Sequence, residues 1–125
     1  MKLNTLFTIT SVVSLAFGIG FLLAPGPLLS IYGLSIDATG ALLARFAGAA
    51  FLSFTPLTWM ARDFSDPRVR RVLVVSIFPT FAIGFVAALL AQLAGLMNSV
   101  GWVYVALPLL FTLGYGYFLL QPAAA

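Results

Sequence analysis

Four long apolar runs, separated by short polar or helix-breaking segments, organise this 125-residue chain. They cover about 5–23, 38–61, 72–95 and 100–120. Each is close to the roughly 20 residues that a helix needs to cross a bilayer core. None alternates with a period of two, and a lone strand cannot satisfy its backbone in lipid, so the runs predict helices. The expected fold is an all-α integral membrane protein, a four-transmembrane-helix bundle forming a single domain over 1–125. Lys2 followed by an apolar core resembles a signal peptide, but the run is long and no small-residue cleavage site stands out before Pro25, which predicts a retained helix.

The linkers differ in kind. Residues 24–37 open with the breakers Pro25, Gly26 and Pro27, and then carry Leu28, Leu29, Ile31, Tyr32 and Leu34. So apolar a linker predicts a short amphipathic or re-entrant piece lying on the bundle; an apolar loop resting on lipid is the alternative. Ser35 or Asp37 is placed to cap the second helix. Residues 62–71 are the strongly polar stretch and hold Arg62, Arg68, Arg70 and Arg71. By the positive-inside rule this segment faces the cytoplasm, which places both termini there too (N-in/C-in) and the other two linkers outside. These arginines serve topology, with headgroup or soluble-partner binding as the alternative. Trp59, Tyr115 and Tyr117 fall toward the inner boundary, and Tyr32, Trp102 and Tyr104 toward the outer one, as interfacial aromatics do.

Composition agrees with the pattern. The chain is 62% hydrophobic and 7% charged, against about 25% charged in soluble domains. A chain this short has too little interior to hide that apolar surface from water. Its net charge of +3 is clustered at one boundary and is no nucleic-acid signal. Cys, His and Glu are absent, and Asp37, Asp63 and Asp66 lie outside the apolar runs. Thiolate chemistry, the usual metal and haem ligands, and a buried carboxylate for acid–base work are therefore missing. No catalytic residue, metal site or cofactor is assigned.

Within the runs, small residues at helical spacing mark faces where backbones can approach closely in lipid. The stripes are Ala16, Gly20 and Ala24; Gly40, Ala44 and Gly48; and Gly84, Ala88 and Ala91, then Gly95. Pro56, Pro79 and Pro108 interrupt the second, third and fourth runs and leave the carbonyls of Leu52, Val75 and Tyr104 without their helical donors.

Arg45 is the one formal charge inside the runs. It lies about seven residues past the start of its helix, roughly 10 Å along the axis, where a cation is costly and is usually paired, snorkelling or functional. Ala41, Gly48, Ala49 and Leu52 share its face on a helical wheel, and Asp37 lies on the same side two turns earlier. The topology puts Tyr32, Gln92, Asn98 and Tyr104 at a similar level. The outer half is thus expected to hold a polar cluster of Arg45, Asp37, Tyr32, Gln92, Asn98 and Tyr104. An arginine fork there suits a carboxylate, phosphate or quinone-like carbonyl. The structural alternative is an Arg45 that snorkels to Asp37, to carbonyls or to lipid phosphate.

Several short motifs carry a family likeness: the Tyr32-Gly33 turn after a Pro-Gly break, Arg45-Phe46-Ala47-Gly48, Arg62-Asp63, Arg70-Arg71, Ala91-Gln92-Leu93 through Asn98, and Gly101-Trp102. With these the chain resembles small four-helix bacterial membrane proteins of the DoxX-like kind. The resemblance implies a four-helix bundle with an arginine in the second helix, in the bacterial cytoplasmic membrane. Some DoxX-like relatives are linked to quinone-coupled oxidation or act as accessory subunits; this chain shows no redox group. The expected function is non-enzymatic: binding of a partner protein or a lipid- or quinone-like ligand, as an accessory subunit of a membrane complex. Its expected partners are membrane lipids, a homo-oligomer or a larger membrane complex, with no nucleic acid. The alternatives are an oligomeric transporter or channel for ions or small molecules and, with less support, an enzyme acting on a lipid or quinone.

Overall fold

A computed structural model describes residues 2–121. It contains α1 (Leu3–Leu23), α2 (Pro25–Ser30), α3 (Ala38–Ala61), α4 (Pro67–Leu93) and α5 (Gly101–Leu119). Four of these, α1, α3, α4 and α5, are long and apolar enough to cross a membrane, which fits an integral membrane protein. The expected helices at 38–61 and 100–120 return almost unchanged, and the expected piece after the first helix is a short helix, α2. It starts at Pro25, where the missing N–H of proline costs nothing. Asp37 rather than Ser35 caps α3: Gly40 N donates to Asp37 Oδ1 at 2.8 Å.

The polar stretch 62–71 is only in part a loop. Asp66 accepts from the backbone N–H of Arg68 at 2.9 Å, and Pro67 occupies the first turn. Together they start α4 about one turn before the apolar run begins. Its 27 residues span about 40 Å, longer than a hydrocarbon core of about 30 Å. The excess carries Arg68, Arg70 and Arg71.

The bundle is built from two helix pairs, α1 with α3 and α4 with α5. In the first pair Gly18 and Gly48 let the backbones touch: a Cβ at Gly48 would lie 2.8 Å from both Gly18 O and Leu22 N. Gly48 is thus the contact residue its stripe predicts, whereas the α1 stripe is not the contact face. Ala16 is exposed, and Gly20 instead receives the Leu28 side chain of α2. The period of α1 turns Ser11, Ser14, Gly18 and Phe21 inward.

All four long helices meet at the arginine-rich end. The core there consists of Leu3, Leu6, Phe7, Ala61, Val74, Ile77, Phe81, Phe111 and Tyr115. Tyr115 is fully buried rather than at an interface. Its hydroxyl lies 2.7 Å from Thr10 Oγ1, and its ring stacks on Phe81 at 6.0 Å. The arginines bracket this end. Arg70 Nη1 donates to Asn4 Oδ1 and Phe64 O, both at 2.9 Å. Arg62 donates to Trp59 O at 3.0 Å and lies over the Trp59 ring. Arg71 Nη1 donates to Leu119 O at 2.5 Å, next to the negative end of the α5 dipole. Arg68 is the outlier: it is exposed, 3.9 Å from Asp66, a geometry worth little in water.

Candidate functional site: an uncharged crevice at the open end of the bundle

The opposite end of the bundle is open. Two helix stops shape it. Gly33, with φ +79, ends the α2 turn, and Gly95, with φ +77, ends α4. In each, a 6→1 hydrogen bond closes the helix: Leu34 N to Leu29 O and Leu96 N to Ala91 O, both at 3.1 Å. This left-handed stop brings the residue after the glycine back against the last helical turn. Leu29 and Leu34 from one stop, and Ala91 and Leu96 from the other, line a crevice of about 280 Å³. Tyr32 and Tyr104 form its far wall, their rings 5.4 Å apart and inclined by 56°.

Asn98 holds this wall together. Its backbone N–H donates to Tyr32 O at 2.9 Å, its Nδ2 donates to Ile31 O at 3.1 Å, and its Oδ1 accepts from Val100 N at 3.0 Å. Gln92 Nε2 donates to Asn98 O at 3.2 Å, while Gln92 Oε1 is buried without a hydrogen-bond partner. Burial pushes the Tyr32 phenol above its ordinary pKa, so it stays a neutral donor and acceptor through the physiological range.

Four of the expected residues, Tyr32, Gln92, Asn98 and Tyr104, therefore come together. Arg45 and Asp37 do not join them. Asp37 is engaged at the α3 cap, and Arg45 Nε donates to Leu22 O, 3.3 Å away across the α1–α3 pair. The one ion pair among the described residues is Arg68 with Asp66. Leu22 lies one residue from the end of α1, where the last carbonyls lack helical donors and carry the negative dipole end. The chain breaks at Ala24 and restarts as α2 at Pro25, so α1 does not continue to supply a donor to Leu22 O. Arg45 thus caps a neighbouring helix. The 21 residues of α1 are long enough for the core thickness, about 31 Å against 30 Å. Arg45 lies level with the end of α1, past which the first turns of α3 extend.

A chamber of about 100 Å³ lies between the helix pairs, walled by Phe17, Phe51, Phe81, Phe111 and Pro108. Gly84 and Tyr104 line both spaces. Among the described residues, no charged side chain lines either one. Sequence reasoning missed this apolar site while registering its parts. Of the small-residue run Gly84, Ala88 and Ala91, only Ala88 is buried, and all three line the crevice. At Gly84 no atom stands within 4 Å of where a Cβ would be, so the stripe borders empty space there.

No known family model, curated protein or solved structure matches this chain.

Proposed function

We propose that this is a non-enzymatic integral membrane protein that binds a lipid- or quinone-like ligand in the crevice, as an accessory component of a membrane complex. The observation that carries the reading is the uncharged crevice between the α2 turn and the α4–α5 pair, with Tyr32 and Tyr104 as its polar wall. A pocket that is mostly apolar with a few placed polar groups is the usual form of a small-molecule site. The DoxX-like relationship belongs to the same proposal and rests on the sequence motifs alone. So does the orientation, with the arginine-rich end facing the cytoplasm of a bacterial cell, which rests on the charge bias. The packed Phe81, Phe111 and Tyr115 core between the chamber and the arginine-rich end argues against a conduit through a single bundle.

Native mass spectrometry of protein extracted in mild detergent tests the reading. The wild type is expected to retain a hydrophobic small molecule that Tyr32→Ala/Tyr104→Ala loses. A wild type that carries nothing, or a double variant that retains the same molecule equally well, would sink it.

A further inference from the structure

Gly84 is the α4 residue that lines both the outer crevice and the inner chamber. Gly18 and Gly48 face packed neighbours: a Cβ at either would meet atoms within 3 Å, whereas a Cβ at Gly84 would meet none within 4 Å. Its missing side chain therefore leaves open space and makes no helix contact. Phe81 and Phe111, whose rings stack 4.7 Å apart, line the far side of the chamber.

The size and chemistry of the inner chamber select its occupant. At about 100 Å³ it is smaller than the roughly 150 Å³ apolar cavity that holds a benzene ring. A ring fits poorly, while a linear chain entering end-on needs only the width of a methylene. The walls are aromatic and aliphatic, with Thr80 and Tyr104 as the hydroxyl-bearing members, so a charged or strongly polar end is excluded by its desolvation cost.

We propose that Gly84 is a specificity-determining residue: it admits one linear hydrocarbon chain, an acyl tail, from the outer crevice into the inner chamber and leaves the polar end of that lipid beside Tyr32 and Tyr104. This rests on the reading that the crevice binds a lipid-like ligand. Side chains at position 84 set how far the tail enters. Because the space beside Gly84 is open and glycine is a weak helix former, larger residues are accommodated by the fold and obstruct only the ligand.

Photocrosslinking in vesicles tests this with four probes. A phosphatidylcholine and a free fatty acid each carry a diazirine either at the chain terminus or beside the head group. In the wild type, terminal probes are expected to label peptides containing Phe81 and Phe111, and head-side probes the peptides containing Tyr32 and Tyr104. Gly84→Leu should lose the terminal labelling and keep the head-side labelling, with Gly84→Ala intermediate; thermal unfolding in detergent checks that both variants fold. Terminal labelling by the phospholipid alone identifies a chain still attached to its headgroup, and by the fatty acid alone a free chain; either result supports the inference. Head-side labelling without terminal labelling in the wild type, or terminal labelling unchanged in Gly84→Leu, overturns the role of Gly84 while the crevice remains a binding site. Absence of both labels overturns the binding reading and this inference with it.

Discussion

Arg45 shows how much a residue's meaning depends on its neighbour. Its charge demands a partner, and the partner is the Leu22 carbonyl at the end of α1. Arg45→Leu should therefore cost stability and not ligand. We expect a loss of about 1 kcal/mol, the net worth of one hydrogen bond, read from denaturant unfolding in micelles. Labelling or retention of ligand in the crevice should stay unchanged, because Arg45 does not line it. Arg45→Lys should recover part of the stability, since an ammonium also reaches a carbonyl but lacks the planar fork. Asn98 is the opposite case. It makes both side-chain bonds that tie the Tyr32 turn to the start of α5. Asn98→Ala should destabilise by about 1–3 kcal/mol and speed amide exchange at Val100, and it should weaken ligand retention because the tyrosine wall loosens. Normal exchange at Val100 in that variant would show that the clamp is dispensable.

At the scale of elements, glycines with the same helical setting do opposite work. Gly48 lies against the α1 backbone, and a side chain there must push two helices apart. Gly48→Val is expected to cost at least about 2 kcal/mol, within the range for overpacked sites, and to weaken the α1–α3 pair, as measured by steric trapping or denaturant unfolding. Gly84 borders a void, so the same kind of enlargement there should be neutral or mildly stabilising. Equal destabilisation at both positions would contradict the packing described. The hydrophobic runs make the four long helices legible because a bilayer leaves few other ways to satisfy their backbones. The start of α4 is less legible. Its first turn is polar, and the Asp66-Pro67 start signal outweighs the change in hydropathy. The α1 contact face is hidden because Ala and Gly are common throughout, and the inward arc also contains Ser11 and Ser14, which a search for small apolar residues passes over.

For the whole molecule, one end is locked and the other is open. The Arg70–Asn4 hydrogen bond, the Thr10–Tyr115 contact and the aromatic core join the helix pairs at the arginine-rich end, where Arg62 and Arg71 tie the helices within each pair. The chamber separates them toward the other. This asymmetry predicts a gradient of mobility, since sparse packing lowers the cost of local opening. Spin labels on the exposed pair Leu23 and Val103 should give a broader distance distribution than labels on Met60 and Tyr117. Added ligand should narrow the first distribution and leave the second unchanged. Equal widths at both ends would contradict this gradient.

The sequence by itself determined the solvent, the helices and the stops between them. Length, hydropathy and the Pro, Gly and Asp punctuation are local properties, and local physics reads them. It also singled out Tyr32, Gln92, Asn98 and Tyr104, because chain topology carries them to one level. Only the tertiary structure decided that Arg45 turns to α1 and away from them. The same holds for Tyr115, which is core and not interface, and for Gly84, which borders open space where Gly48 closes a contact. Those outcomes depend on which helix stands opposite and at what height. A single helix carries its own periodicity and has no record of its neighbour's register.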